Sequence, residues 1–188
     1  MYSRIFKGNH HRGIHFTCRA HQLGPCSSRC HLQLTHSQLK QFSSCCKRFL
    51  YGGLSLIYCG GIVSSGTTNK CYQLVSNTWI EMSASLSGNR AFATSADVTI
   101  GGKEYGIIVG GNNGASSNYG IGSVTAYDGT SWNDSIISSL PHVTSDHCMV
   151  KLDENTLFVM GGILDNNYGP KKTTFFCNLI SNQWTPGN

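Results

Sequence analysis

Charge is scarce in this chain of 188 residues: Asp, Glu, Lys and Arg together make up 12% of it, about half the share of an ordinary soluble domain. Acids are missing altogether from residues 1–50, which hold eight Lys or Arg and no Asp or Glu. Long apolar runs are missing too. None approaches the roughly 18 residues that a membrane-crossing helix needs, and no apolar segment beside Met1 resembles a secretory signal. A soluble chain with no membrane partner is therefore expected. What the sequence does have is glycine, 22 residues of it, and low charge with high glycine favours strands and turns over helices.

The overall charge of +5 is an average of two unlike pieces, +8 over residues 1–50 and −3 over residues 51–188. The basic piece also carries six of the eight histidines and five of the nine cysteines. A zinc finger needs two ligand pairs at short fixed spacing. The sets Cys18 with His21 and Cys26 with Cys30 do not supply that grammar, so no metal is expected. The segment shares a basic, Ser-bearing, acid-free composition with transit peptides, but its histidines and cysteines do not suit one. Its charge could suit nucleic acid, yet no module of that kind is recognisable. Residues 1–50 are read as a disordered leader, or as a segment outside the natural reading of the gene.

Residues 51–188 repeat. Double glycines end apolar runs at Gly60-Gly61, Gly110-Gly111 and Gly161-Gly162, with the second glycines 50 and 51 residues apart. Trp79, Trp132 and Trp184 follow at intervals of 53 and 52 residues. Two unrelated landmarks at one pitch mark stacked copies of a supersecondary unit. Ile107, Ile108 and Val109 form a short apolar run bounded by glycines, as in a strand covered on both faces. Each tryptophan follows a short turn (Ser76-Asn77, Asp128-Gly129, Ser181-Asn182) with hairpin chemistry, and each indole is placed to pack between neighbouring sheets.

Together these residues resemble the kelch repeat: a double glycine after an apolar strand, a strand containing Tyr, then a Trp some residues on. Tyr72 with Trp79 and Tyr127 with Trp132 fit that pattern, and Phe176 and Cys177 stand near the Tyr position of the last unit. The resemblance implies an all-β fold of four-stranded antiparallel propeller blades. The units span about residues 51–86, 87–140 and 141–188, the first lacking its opening strand. Two and two-thirds blades leave a ring open, because propellers close with four to eight. The missing blades are expected from a longer chain or another subunit.

The long connections fall on one rim. The links between strands two and three (62–70, 112–122, 163–172) and those between blades (83–90, 137–146) are long, and such loops on a rigid scaffold carry recognition. Arg90, Asn112, Asn113, Asn118, Tyr119, Asp146, Asp165, Asn167, Tyr168 and Lys171 lie in them and are the candidate partner-binding residues, with Tyr and Asn suited to adaptable contacts. A catalytic set does not emerge. His142 and His147 lack the spacing of a zinc-protease motif, Asp153-Glu154 sits in a hairpin turn, and Gly120-x-Gly122 lacks the strand-to-helix setting of a nucleotide loop. Cys59 takes the slot that Val109 and Met160 fill elsewhere, the place of a small buried hydrophobe. Cysteines in the repeats share no spacing, so a reduced, cytoplasmic setting is expected. Asn133-Asp134-Ser135 is a formal glycosylation sequon, too short alone to imply secretion.

The expected function is a non-enzymatic scaffold that binds another protein and uses no cofactor. By the resemblance, such domains act as substrate receptors of ubiquitin ligases or as cytoskeletal binders. The alternative it implies is a kelch-like enzyme acting on a sugar or other small molecule. For the scaffold, Tyr119→Ala combined with Tyr168→Ala is expected to weaken partner capture while thermal stability stays nearly unchanged. Equal capture by the double variant in a quantitative pull-down rejects this rim as the binding face.

Overall fold

Apolar alternation bounded by glycine turns produces three meandering antiparallel sheets. They are described by a computed structural model covering residues 16–20, 28–32, 56–114, 120–163 and 172–187. In the leader, β1 (Phe16–Ala20) pairs antiparallel with β2 (Ser28–Leu32); the rest of residues 1–50, read above as disordered, lies outside the described residues. The first sheet has three strands, β3 (Ile57–Cys59), β6 (Cys71–Val75) and β7 (Thr78–Glu81), with a small ribbon of β4 (Ile62–Val63) and β5 (Gly66–Thr67) rising from its first connection. The second sheet runs in sequence order through β8 (Thr94–Ile100), β9 (Lys103–Val109), β10 (Val124–Tyr127) and β11 (Trp132–Ile137). The third repeats that order with β12 (Cys148–Asp153), β13 (Thr156–Met160), β14 (Thr174–Asn178) and β15 (Gln183–Pro186). Among the described residues no helix is long and apolar enough to cross a membrane.

The fold expected from the sequence is therefore present as four-stranded antiparallel blades in the second and third sheets; the stretch expected to lack the first blade's opening strand lies outside the described residues. The 62–70 connection, expected as irregular loop, is partly the β4–β5 ribbon, with Ile62 opposite Thr67 and Val63 opposite Gly66.

Side-chain alternation sorts the core into two layers. Ile107 and Val109 on β9 point, with Val124 and Ala126 on β10, into a cluster shared with Met149, Leu157, Val159, Phe175 and Cys177 of the third sheet. Ile108 and Tyr127 face the other way, onto Ile57, Cys71 and Leu86 of the first unit. The middle sheet is thus covered on both faces, and each fully buried aliphatic side chain there stabilises the fold by about 1.5–3 kcal/mol. The indoles bridge sheets as expected where a preceding sheet of the repeats lies among the described residues. Trp132 packs on the cluster of the first unit, and Trp184 Nε1 donates to the Ser138 carbonyl at 2.8 Å.

Two details differ from the sequence reading. Trp132 stands opposite Tyr127, but Trp79 stands opposite Leu74 and Trp184 opposite Cys177. Tyr72 therefore lies two residues from the Tyr127 slot, because the tight Ser76-Asn77 turn places a different partner across the hairpin. Cys59 is not a free thiol. It forms a disulfide with Cys71, directly opposite it on β6. The Gly60 amide donates to the Lys70 carbonyl at 2.9 Å, which makes Cys59 and Cys71 a non-hydrogen-bonded pair, the kind whose side chains lie closest. The same place holds Val109 opposite Val124 in the second sheet and Met160 opposite Thr174 in the third. Cys148 is disulfide-bonded as well, while Cys177 is free and buried.

Double glycines bring the units together. The Gly61 amide donates to the Arg90 carbonyl, and the Gly111 amide to the Thr144 carbonyl, both at 2.7 Å. At Gly110 (φ +61°) a Cβ would sit 2.7 Å from the Thr144 carbonyl oxygen and 2.8 Å from the His147 ring. Gly101 has nearly the same backbone angle, φ +58°, but open space around it. Gly101→Ala is therefore expected to cost only the left-handed penalty of about 1–2 kcal/mol. Gly110→Ala adds an overpacking cost of about 1–3 kcal/mol to it. Urea midpoints of the two variants check this; equal midpoints reject the close-approach argument.

Candidate functional site

At the junction of the first two sheets, on the rim of the long connections, lies an open cleft of about 620 Å³. Three segments build it. The β4–β5 ribbon contributes Ser65, Gly66 and Thr67; the interblade link contributes Ser87, Gly88, Asn89 and Arg90; the second connection contributes Asn113, Gly114, Ile121 and the adjoining Ser123. Every one of these except Ser123 falls inside a connection that the sequence assigned to this rim.

Local contacts explain how the walls are held. Thr67 Oγ1 donates to the Asn113 carbonyl at 2.5 Å, joining the ribbon of one unit to the loop of the next. The Gly114 amide donates to Asn112 Oδ1 at 2.6 Å, an Asx turn that folds the loop tip back on itself. The Asn112 backbone exchanges two hydrogen bonds with Ala91 at 2.8 Å. Ser87 Oγ donates to Asp134 Oδ2 at 2.6 Å, and Thr125 Oγ1 donates to the other oxygen, so that carboxylate ties the interblade link to the second sheet.

Arg90 lies at the base of the cleft and is only 4% exposed. Its Nη2 donates to Ser123 Oγ at 2.6 Å, and Nη1 lies within reach of the Ser123 and Ile108 carbonyls at 3.3 and 3.4 Å. Nε has no partner among the described residues. Burial lowers the guanidinium pKa to about 10, with the charge of Asp134 opposing the shift, so it stays cationic at neutral pH. Among the described residues no carboxylate lines the cleft. The site is consequently a polar hollow of hydroxyl and amide groups over one buried positive charge.

Of the residues singled out from the sequence, Arg90 and Asn113 line the cleft, and Asn112 shapes the loop beside it. Asp146 is exposed elsewhere, at the junction of the second and third sheets, where its amide donates to the Phe92 carbonyl at 3.0 Å. Asn118, Tyr119, Asp165, Asn167, Tyr168 and Lys171 lie outside the described residues. Sequence reasoning did not single out Ser65, Thr67, Ser87, Asn89 or Ser123; only their place in long connections could have marked them.

The second junction holds a buried titratable group. His147 is 3% exposed, with Nε2 2.7 Å from Thr94 Oγ1 across the sheets and Nδ1 without a partner among the described residues. Burial lowers its pKa to about 4. Among the described residues no cluster of three or more His, Cys, Asp or Glu is arranged to hold a metal ion.

The chain matches no known family model and no curated protein. Among solved structures it is similar to YjhT, a kelch-type propeller, at 12% identity and a TM-score of 0.64, over 86% of this chain and 56% of that one. That likeness and the sheet topology give a propeller-like fold, and the chain spans little more than half of its structural neighbour's length.

His147 generates a pH prediction. Its folded pKa of about 4 lies below the unfolded value near 6.5, so the neutral ring favours the native state. That contribution is complete above about pH 6.5 and drains away as pH falls toward 4. His147→Gln is expected to flatten the stability profile across this window, read from urea midpoints at several pH values. An unchanged slope would show that another group controls it.

Proposed function

We propose that this chain is a kelch-type recognition module, non-enzymatic, that binds another protein through the rim where the long connections meet. The cleft between the first two units carries this reading. It is built from two successive repeats, lined by hydroxyl and amide groups that offer many donors and acceptors, and open to solvent. Exposed polar loops held on a stiff scaffold suit adaptable contact with a protein surface. Two titratable groups of the described repeats, His147 and Cys177, are buried away from solvent.

The outer face of the third sheet supports the companion idea that further sheets of the same kind complete the ring. Val150, Phe158 and Phe176 lie in one row across its strands, with the two phenyl rings 4.7 Å apart. Val150 is 40% and Leu152 55% exposed. A propeller buries the corresponding face of every blade against the next.

Ser65→Trp and Asn89→Trp test the cleft, since both residues are exposed on its walls. Partner capture is expected to fall at least about tenfold, a loss of roughly 1.4 kcal/mol, with folding stability altered by less than about 0.5 kcal/mol. Undiminished capture by both variants rejects the cleft as the binding site. Turnover of a sugar or other small molecule by the unaltered chain, abolished by the same substitutions, favours the enzyme instead.

A further inference from the structure

The sequon at Asn133-Asp134-Ser135 is the only Asn-x-Ser/Thr match in the 188 residues, and the structure gives it a setting. It lies on β11, the last strand of the second sheet, whose outer side pairs with no other strand among the described residues. Asn133, Asp134 and Ser135 are all exposed. The ladder is irregular there: Ala126 stands opposite Asn133, but Val124 stands opposite Ile137, so β11 carries two more residues than its partner over this stretch. Such bulges sit at sheet edges and turn side chains out of the ladder. Within the bulge the Ser135 amide donates to Asn133 Oδ1 at 2.8 Å, folding the three residues into an Asx turn. Asp134, the middle residue, is held by Ser87 and Thr125, which anchors the bulge to the scaffold and leaves its flanking residues outward.

A second observation is independent of the motif. Cys59 and Cys71 are joined, and Cys148 is bonded too. Structural disulfides persist where the compartment is oxidising, the same setting in which N-glycans are added.

We propose that Asn133 is an N-glycan acceptor on a chain that folds in an oxidising compartment, in place of the cytoplasmic setting expected from the sequence. The donor is an oligosaccharide carried on a polyprenyl pyrophosphate. Asn133 Nδ2 forms a bond to the anomeric carbon and gives up one proton to a basic group of the glycosyl-transferring enzyme. The bond from that carbon to the pyrophosphate breaks, and the pyrophosphate leaves with its electron pair. No oxidation state changes. The glycan stands at the free edge of β11, where a bulky polar group blocks the strand from pairing with another chain. Asn133 is not among the residues lining the cleft.

The test uses the full chain carrying an added N-terminal secretory signal and expressed in eukaryotic cells, so that every copy enters the glycosylating compartment. Peptide N-glycosidase is expected to increase its gel mobility in one step and, in ¹⁸O-enriched water, to convert residue 133 to an ¹⁸O-labelled aspartate. Ser135→Ala, which keeps Asn133 and the backbone hydrogen bond, is expected to abolish the step completely, and Ser135→Thr to retain it. Thiol alkylation without reductant is expected to leave Cys59 and Cys71 unlabelled. An unshifted natural chain overturns the proposal, as does a step that survives in Ser135→Ala, or free thiols at both cysteines.

Discussion

Everything in the arrangement of these sheets depends on one short backbone contact, made where an apolar strand ends in two glycines. There the amide of the second glycine reaches a carbonyl near the start of the next unit, from Gly61 to Arg90 and from Gly111 to Thr144. A side chain at the first glycine would strike the same carbonyl, at 2.1 Å for Gly60 and 2.7 Å for Gly110. The bare backbone thus sets how closely sheets approach. That separation in turn decides which side chains can interlock between them. Alternation along β9 turns Ile108 toward the first unit and Ile107 toward the third, and the rim spacing brings those units within reach.

The same contact places the cleft. Arg90 supplies the accepting carbonyl from its backbone and sends its side chain back beneath the hollow to Ser123. One residue therefore closes the junction and puts a positive charge under the site. At the next junction Thr144 takes the corresponding backbone role, and His147 fills the space beside Gly110 with a neutral ring. The two junctions share backbone geometry and differ in electrostatics, one cationic and one that resists protonation.

Much of this was readable in advance, because period and glycine chemistry are local signals. The strand order of the second and third sheets and the two-sided burial of Ile107 to Val109 both followed from them. So did the loops that form the cleft. What could not be read depends on pairing across strands. Tyr72 looks like the counterpart of Tyr127 by composition, yet a tight turn at Ser76-Asn77 puts Leu74 opposite the indole. The bond between Cys59 and Cys71 requires knowing that they face each other in the ladder; their separation along the chain does not reveal it. Arg90 reads as an exposed loop cation, and only the packing of two units turns it inward. Asn133 shows the reverse: the motif is plain in the sequence, but its place on an outer bulge is not.

The cleft takes its walls from two successive repeats, joined above by Thr67 and Asn113. An occupant that grips both walls adds a fastener between sheets that otherwise share mainly backbone contacts and a small apolar layer. Its binding free energy then counts toward holding the array together, growing with the logarithm of its concentration above the dissociation constant. Resistance of these two repeats to shear is in that sense set from outside, by how much of the occupant is present.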